Sequence, residues 1–108
     1  MSAPGVGGPD RGGVTFLMVA RVPAAAREAF HRYEASVLAL LADHGGELER
    51  RLVAGDGDVE AHVVWFPDRS AFTAYRADPR RAAITPAPAD LGVEVELLEV
   101  RDVPLTPG

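Results

Sequence analysis

Apolar positions fall in two periods along this chain, one of two residues and one of three to four. Val14 to Val22, VTFLMVARV, is rich in β-branched and large apolar side chains and predicts a strand. Pro23 ends it and suits the first turn of a helix. From Ala24 to His44 the apolar set Ala26, Phe30, Tyr33, Val37, Leu40, Leu41 and His44 recurs at helical spacing, with Arg27, His31, Glu34 and Asp43 on the other side. That pattern predicts an amphipathic helix of about five turns. Gly45-Gly46 supplies the left-handed cap that stops it. Glu47 to Ala54 alternates as a half-buried strand does, Gly55 to Asp58 is a turn, and Val59 to Phe66 is the second arm of a hairpin. Asp68 or Ser70 can cap the next helix, whose stripe is Ala71, Phe72 and Tyr75. Asp78-Pro79 breaks that helix, and Arg80 to Ile84 adds a further turn. A Pro-rich loop, Thr85 to Asp90, leads to the last strand, Gly92 to Arg101.

The order β-α-β-β-α-β predicts an α+β, ferredoxin-like fold, a four-stranded antiparallel sheet with both helices on one face. Residues 14–103 form the single domain. Residues 1–13, rich in Gly and Pro, are expected to be a disordered tail, and 104–108 a short C-terminal tail. Splitting each strand by its period of two assigns Val14, Phe16, Met18, Ala20 and Val22 to the helix side. Val59, Ala61, Val63 and Trp65 join them, with Val93, Val95 and Leu97. The opposite face then carries Leu17, Val19, Val64, Phe66, Leu98 and Val100 among charged residues. So much apolar surface marks an interaction face, here for a second copy related by a two-fold axis. Arg21, Glu60, His62 and Glu94 form a polar cluster at that interface.

Composition narrows the function. The 108 residues carry a net charge of −5, no Cys, no Lys, and eleven basic residues that are all Arg. Disulfides, thiolate nucleophiles and Cys-bound metals are excluded. An acidic chain whose basic doublets, Arg50-Arg51 and Arg80-Arg81, are flanked by acidic or apolar residues is not expected to bind nucleic acid. No apolar run approaches the ~20 residues of a membrane span, and no signal peptide is visible, so a cytoplasmic location is expected. G-x-S-x-G is missing, which removes the common hydrolase elbow. The spacing Glu60-x-His62 is too common to define a metal site, and no metal is expected.

Three features together resemble a known family. They are the element order, His44-Gly45-Gly46 after the first helix, and VVWFPDRSAFTAYRADPRRAA, Val63 to Ala83, with its Phe66-Pro67, Phe72 to Tyr75 and Ala77-Asp78-Pro79. Over about residues 14–101 the chain is similar to the dimeric α/β-barrel superfamily, in its DUF1330-like and antibiotic-biosynthesis-monooxygenase-like branch. The Pro-rich stretch at 84–90 departs from that pattern. The resemblance implies a homodimer and a ligand held between sheet and helices. It also implies cofactor-free monooxygenase, isomerase or cyclase chemistry on an aromatic or polyketide-like molecule, with no tightly bound cofactor. The residues that would point into that space are Phe16, Met18, Phe30 and Phe72 as substrate-binding groups, with Tyr33, Trp65 and Tyr75 as hydrogen-bond donors to an anion. His44 is the candidate base, and a helix C-terminus also suits it structurally. The alternative is a non-catalytic small-molecule-binding or stress-related dimer.

Overall fold

The computed structural model describes residues 11–106. Of the tails expected at 1–13 and 104–108, residues 1–10 and 107–108 lie outside the described residues. Strand β1 is Val14–Arg21, helix α1 Arg27–Leu38, β2 Glu47–Ala54, β3 Val59–Phe66, α2 Arg69–Arg76, α3 Pro79–Ala82 and β4 Glu94–Val100. The sheet order is β2-β3-β1-β4, all antiparallel, which is the ferredoxin-like topology.

The single long helix expected over 24–44 is three pieces. A 3₁₀ turn at Ala24–Ala26 enters α1, and a second at Leu41–His44 leaves it. Such tightening is frequent at helix ends, where i−4 partners run out. Gly45 then takes φ +73°, closing the segment as expected. Gly46 has a different duty. A Cβ there would lie 2.8 Å from the Phe66 ring, so only glycine lets the backbone cross that ring. The second helix starts where the sequence places it, with the Asp68 carboxylate accepting from the Ala71 amide at 2.8 Å.

The core has two parts. Ala20, Val22, Ala26, Phe30 and Val93 pack under α1. Phe16, Leu41, Phe66 and Tyr75 pack under α2, with Phe72 stacked on Phe16 at 3.9 Å and edge-on to Phe66 at 5.4 Å.

The phase of β3 is opposite to the expected one. Val14, Phe16, Met18 and Ala20 pair with Phe66, Val64, His62 and Glu60, so it is these four that face the helices. Val59, Ala61, Val63 and Trp65 lie on the open face with Leu17 and Val19. Both alternating sets of β3 are apolar enough to bury. Partners on α1 and β2 make the charged set the buried one. Arg21 and Glu94 do lie on the open face, paired in register between β1 and β4. Glu60 and His62 do not, so the four-residue interface cluster divides between the two faces. The open face is more apolar than expected, since Val59, Ala61, Val63 and Trp65 stand on it in place of Glu60, His62, Val64 and Phe66.

Candidate functional site

Between the helices and the sheet lies a cavity of about 320 Å³. Phe16, Met18, Phe30, Tyr33, Phe72 and Tyr75 line it, all from the set that the sequence directs there. Its wall also holds two residues that the sequence had placed elsewhere, Glu34 of α1 and His62 of β3. Glu34 and His62 are each 2% exposed, and Glu60 beside them is 3% exposed.

These groups form one connected cluster. Glu34 Oε2 lies 3.3 Å from His62 Nε2, and Glu60 Oε1 lies 3.5 Å from the same nitrogen. Arg51 of β2 reaches in to Glu34 Oε1 at 3.2 Å and to Glu60 Oε1 at 3.5 Å. His31, one turn before Glu34 on α1, meets the other Glu60 oxygen from the solvent side. Glu34 Oε2 and His62 Nε2 are close but misaligned, and both are buried atoms without a hydrogen-bond partner among the described residues. An unsatisfied buried polar atom costs about 1–3 kcal/mol. Unsatisfied native groups concentrate where chemistry or binding requires them.

The protonation states follow from the surroundings. Burial, then the hydrogen bond and negative charge of Glu60, raise the Glu34 pKa to about 8 against the lowering pull of Arg51. Burial pushes Glu60 up, but its hydrogen bonds with Glu34 and His31 and the charge of Arg51 outweigh it, so the net direction is down. Burial and the Arg51 charge lower His62, against Glu60. At neutral pH the cluster is therefore a protonated Glu34, an ionised Glu60 and a neutral His62: an acid and a base side by side.

A stability prediction arises here. Glu34 binds its proton more tightly folded than unfolded. Its contribution is complete below its unfolded pKa of about 4.5 and is lost as pH rises toward 8. The lowered pKa of His62 acts in the opposite sense up to about 6.5, where that contribution levels off. Between about pH 6.5 and 8.5 the Glu34 loss stands alone, worth about 2 kcal/mol or roughly 10 °C in Tm. Glu34→Gln, which imitates the protonated acid, should flatten that decline in thermal melts. A decline of equal slope in both proteins would show that Glu34 is already ionised at pH 7.

Three of the four expected catalytic residues have other duties. Trp65 is on the open sheet face, outside the cavity. Its indole N–H donates to the Gly12 carbonyl at 2.9 Å, and the Arg11 guanidinium lies 3.6 Å from its ring centroid. Arg11 also pairs with Glu47 and Glu49, so this end of the expected tail packs on the sheet. His44 does not line the cavity. Its Nε2 bonds Asp78 at 2.8 Å, joining the end of the first helical segment to the start of α3. Arg80 first, and then His44, hold the Asp78 carboxyl well below the usual range. Tyr75 lines the cavity, but its buried hydroxyl donates to the Val37 carbonyl at 3.1 Å, and burial pushes its pKa up. The Tyr33 hydroxyl makes no hydrogen bond among the described residues and is the free phenol of the site.

Glu34 was legible in one respect. It falls in the series Ala26, Phe30, Glu34, Val37 and Leu41, all buried. Its spacing put it on the apolar stripe, and its charge alone argued against that. His31, Glu34 and Glu60 bring one ligand atom each within 4.8 Å of one another, a separation that a divalent cation could bridge. The Arg51 guanidinium already supplies positive charge at that point.

No family model matches the chain, and no curated protein matches it. Solved structures do. A candidate antibiotic biosynthesis monooxygenase from Bacteroides thetaiotaomicron superposes with a TM-score of 0.67 at 14% identity, over 90% of this chain and 93% of that one. SnoaB, a cofactor-independent oxygenase from Streptomyces nogalater, gives 0.61 at 22% identity, over 86% and 97%. A NIPSNAP domain protein from Burkholderia xenovorans gives 0.61 at 17%, over 88% and 99%. The DUF1330-like branch is not among these three. The chain has the ferredoxin-like α+β fold that these solved structures share.

Proposed function

We propose that this protein is a small enzyme that takes a proton from an acidic C–H or O–H of a flat, oxygenated molecule, without a tightly bound cofactor. The observation that carries this reading is the pair Glu34 Oε2 and His62 Nε2, buried and uncommitted in the wall of an aromatic cavity. Neutral His62 accepts the substrate proton. Protonated Glu34 and the Tyr33 hydroxyl donate to the oxyanion that develops, in a site whose low dielectric strengthens both. The anion then follows one of two courses. Reprotonation at another carbon is isomerisation. Reaction with O2 converts a CH2 to a C=O, with one oxygen atom in the product and the other in water. SnoaB, with the same fold, is described as a cofactor-independent oxygenase, which supports the second course.

The test uses dithranol, an anthrone whose ring CH2 is acidic. In D2O without oxygen, the wild-type protein should speed the loss of that CH2 signal by NMR. With oxygen, it should raise quinone absorbance and O2 uptake together. No acceleration of exchange over buffer would remove the enzyme reading and leave a small-molecule-binding dimer.

The same reading includes a second copy on the open sheet face, where Leu17, Val19, Val63 and Leu98 lie in register. Arg21 and Glu94 at its edge can pair across a two-fold axis. No helix among the described residues is long and apolar enough to cross a membrane. Val63→Glu should turn a dimer into a folded monomer by light scattering after gel filtration. A wild-type monomer at tens of micromolar would overturn the assembly.

A further inference from the structure

We infer that the cavity selects a substrate carrying a carboxylate, held by Arg76 and Arg81 about one to two aromatic rings from the Glu34–His62 pair. The inference deepens the reading above and rests on the cavity being a ligand site. Arg76, in the last turn of α2, and Arg81, in α3, both line the cavity. The Arg76 guanidinium lies 5.6 Å from the Phe72 ring centroid, and that of Arg81 lies 4.5 Å from the Tyr75 centroid. Neither is in an ion pair among the described residues. Asp78, the acid between them in the chain, is bound by His44 and Arg80, and Arg80 also holds Asp43. Two guanidinium groups outside any ion pair among the described residues thus lie over the aromatic walls of a cavity in a chain of net charge −5.

The register sets the distance. His62 lies opposite Met18 on β1, while Phe72, beneath Arg76, stacks on Phe16. Phe16 and Met18 are two residues apart on one strand face, about 7 Å. A planar molecule between them would present its acidic C–H or O–H to the buried pair and its anionic end to the arginines. Arginine forms a planar fork that matches a carboxylate bidentately and also packs over aromatic rings, as both do here. Two cations near the reacting centre would also favour the substrate anion once it forms.

Calorimetric titration with 2-naphthoate and 2-naphthol at pH 7 tests this, because the two probes share a ring system and differ in charge. The wild-type protein should bind the naphthoate at least ten times more tightly, and added salt should shrink that preference. Arg76→Gln/Arg81→Gln should abolish the preference, read as the ratio of the two affinities in the same variant. Arg76→Lys/Arg81→Lys, which keeps the charge, should restore part of it. Equal binding of both probes, with dithranol exchange intact, would overturn the carboxylate site alone. Binding of neither probe would overturn it together with the cavity as a ligand site. Exchange without acceleration, with a salt-sensitive naphthoate preference, would keep the anion site and remove the proposed catalysis.

Discussion

Replacing His62 by glutamine should lower turnover of a deprotonated substrate by about 10²–10⁴-fold, the usual contribution of a positioned general base. Glutamine keeps a polar group in the wall but has no basic nitrogen. The pH profile of kcat/KM is the sharper reading. In the wild-type protein it should rise through the lowered pKa of His62 and fall above about 8, as Glu34 loses its proton. Glu34→Gln should abolish the falling limb, because the amide still donates at high pH. His62→Gln should abolish the rising one. A merely structural role for either residue would change Tm and leave the shape of the profile alone. Full turnover in His62→Gln would transfer the base to another group.

Phe66→Ala should cost roughly 3–5 kcal/mol, close to the whole stability of a marginal domain of this size. Phe66 is 1% exposed, and its ring meets Phe16, Phe72 and Tyr75 at centroid distances of 6.4, 5.4 and 5.4 Å. Gly46 passes directly over it, and the backbone there cannot collapse into the space without shifting the end of the first helical segment. Removing the ring therefore leaves a void, and the cost is the lost transfer energy plus the cavity term. Urea unfolding should show a lower midpoint at an unchanged slope. A loss below about 1 kcal/mol would mean that α2 settles into the gap. Since Phe66 also lines the ligand cavity, the same variant should bind 2-naphthol poorly.

The caps, breaks and element order of this chain were legible because they depend on neighbours in sequence. Pro23, Gly45, Asp68 and Asp78-Pro79 act within a few residues of themselves, and each does in the fold what its chemistry implies. The aromatic lining was legible for a related reason. Phe16, Met18, Phe30 and Phe72 have no alternative to burial, and period alone chooses their face. Trp65 misled because its neighbours Val63 and Ala61 are apolar too, so β3 offered two burial-competent faces. The charged face, with Glu60 and His62, is the one that is buried.

The polar heart of the site came from tertiary contact. Glu34, Glu60, His62 and Arg51 stand on three different elements and are tolerable inside only because they meet. Alone, each ionised group would keep its face toward water. Together, the protonation of Glu34 and the Arg51 guanidinium remove most of that penalty, and the face of β3 that carries Glu60 and His62 turns inward. The amino-acid sequence by itself determined the α+β order, the ends of its segments and the aromatic wall, all through local spacing and side-chain size. Only the assembled structure decided which face of β3 is buried, where the acid and base lie, and which arginines stay free, because the energy of a buried charge depends on the partners it meets.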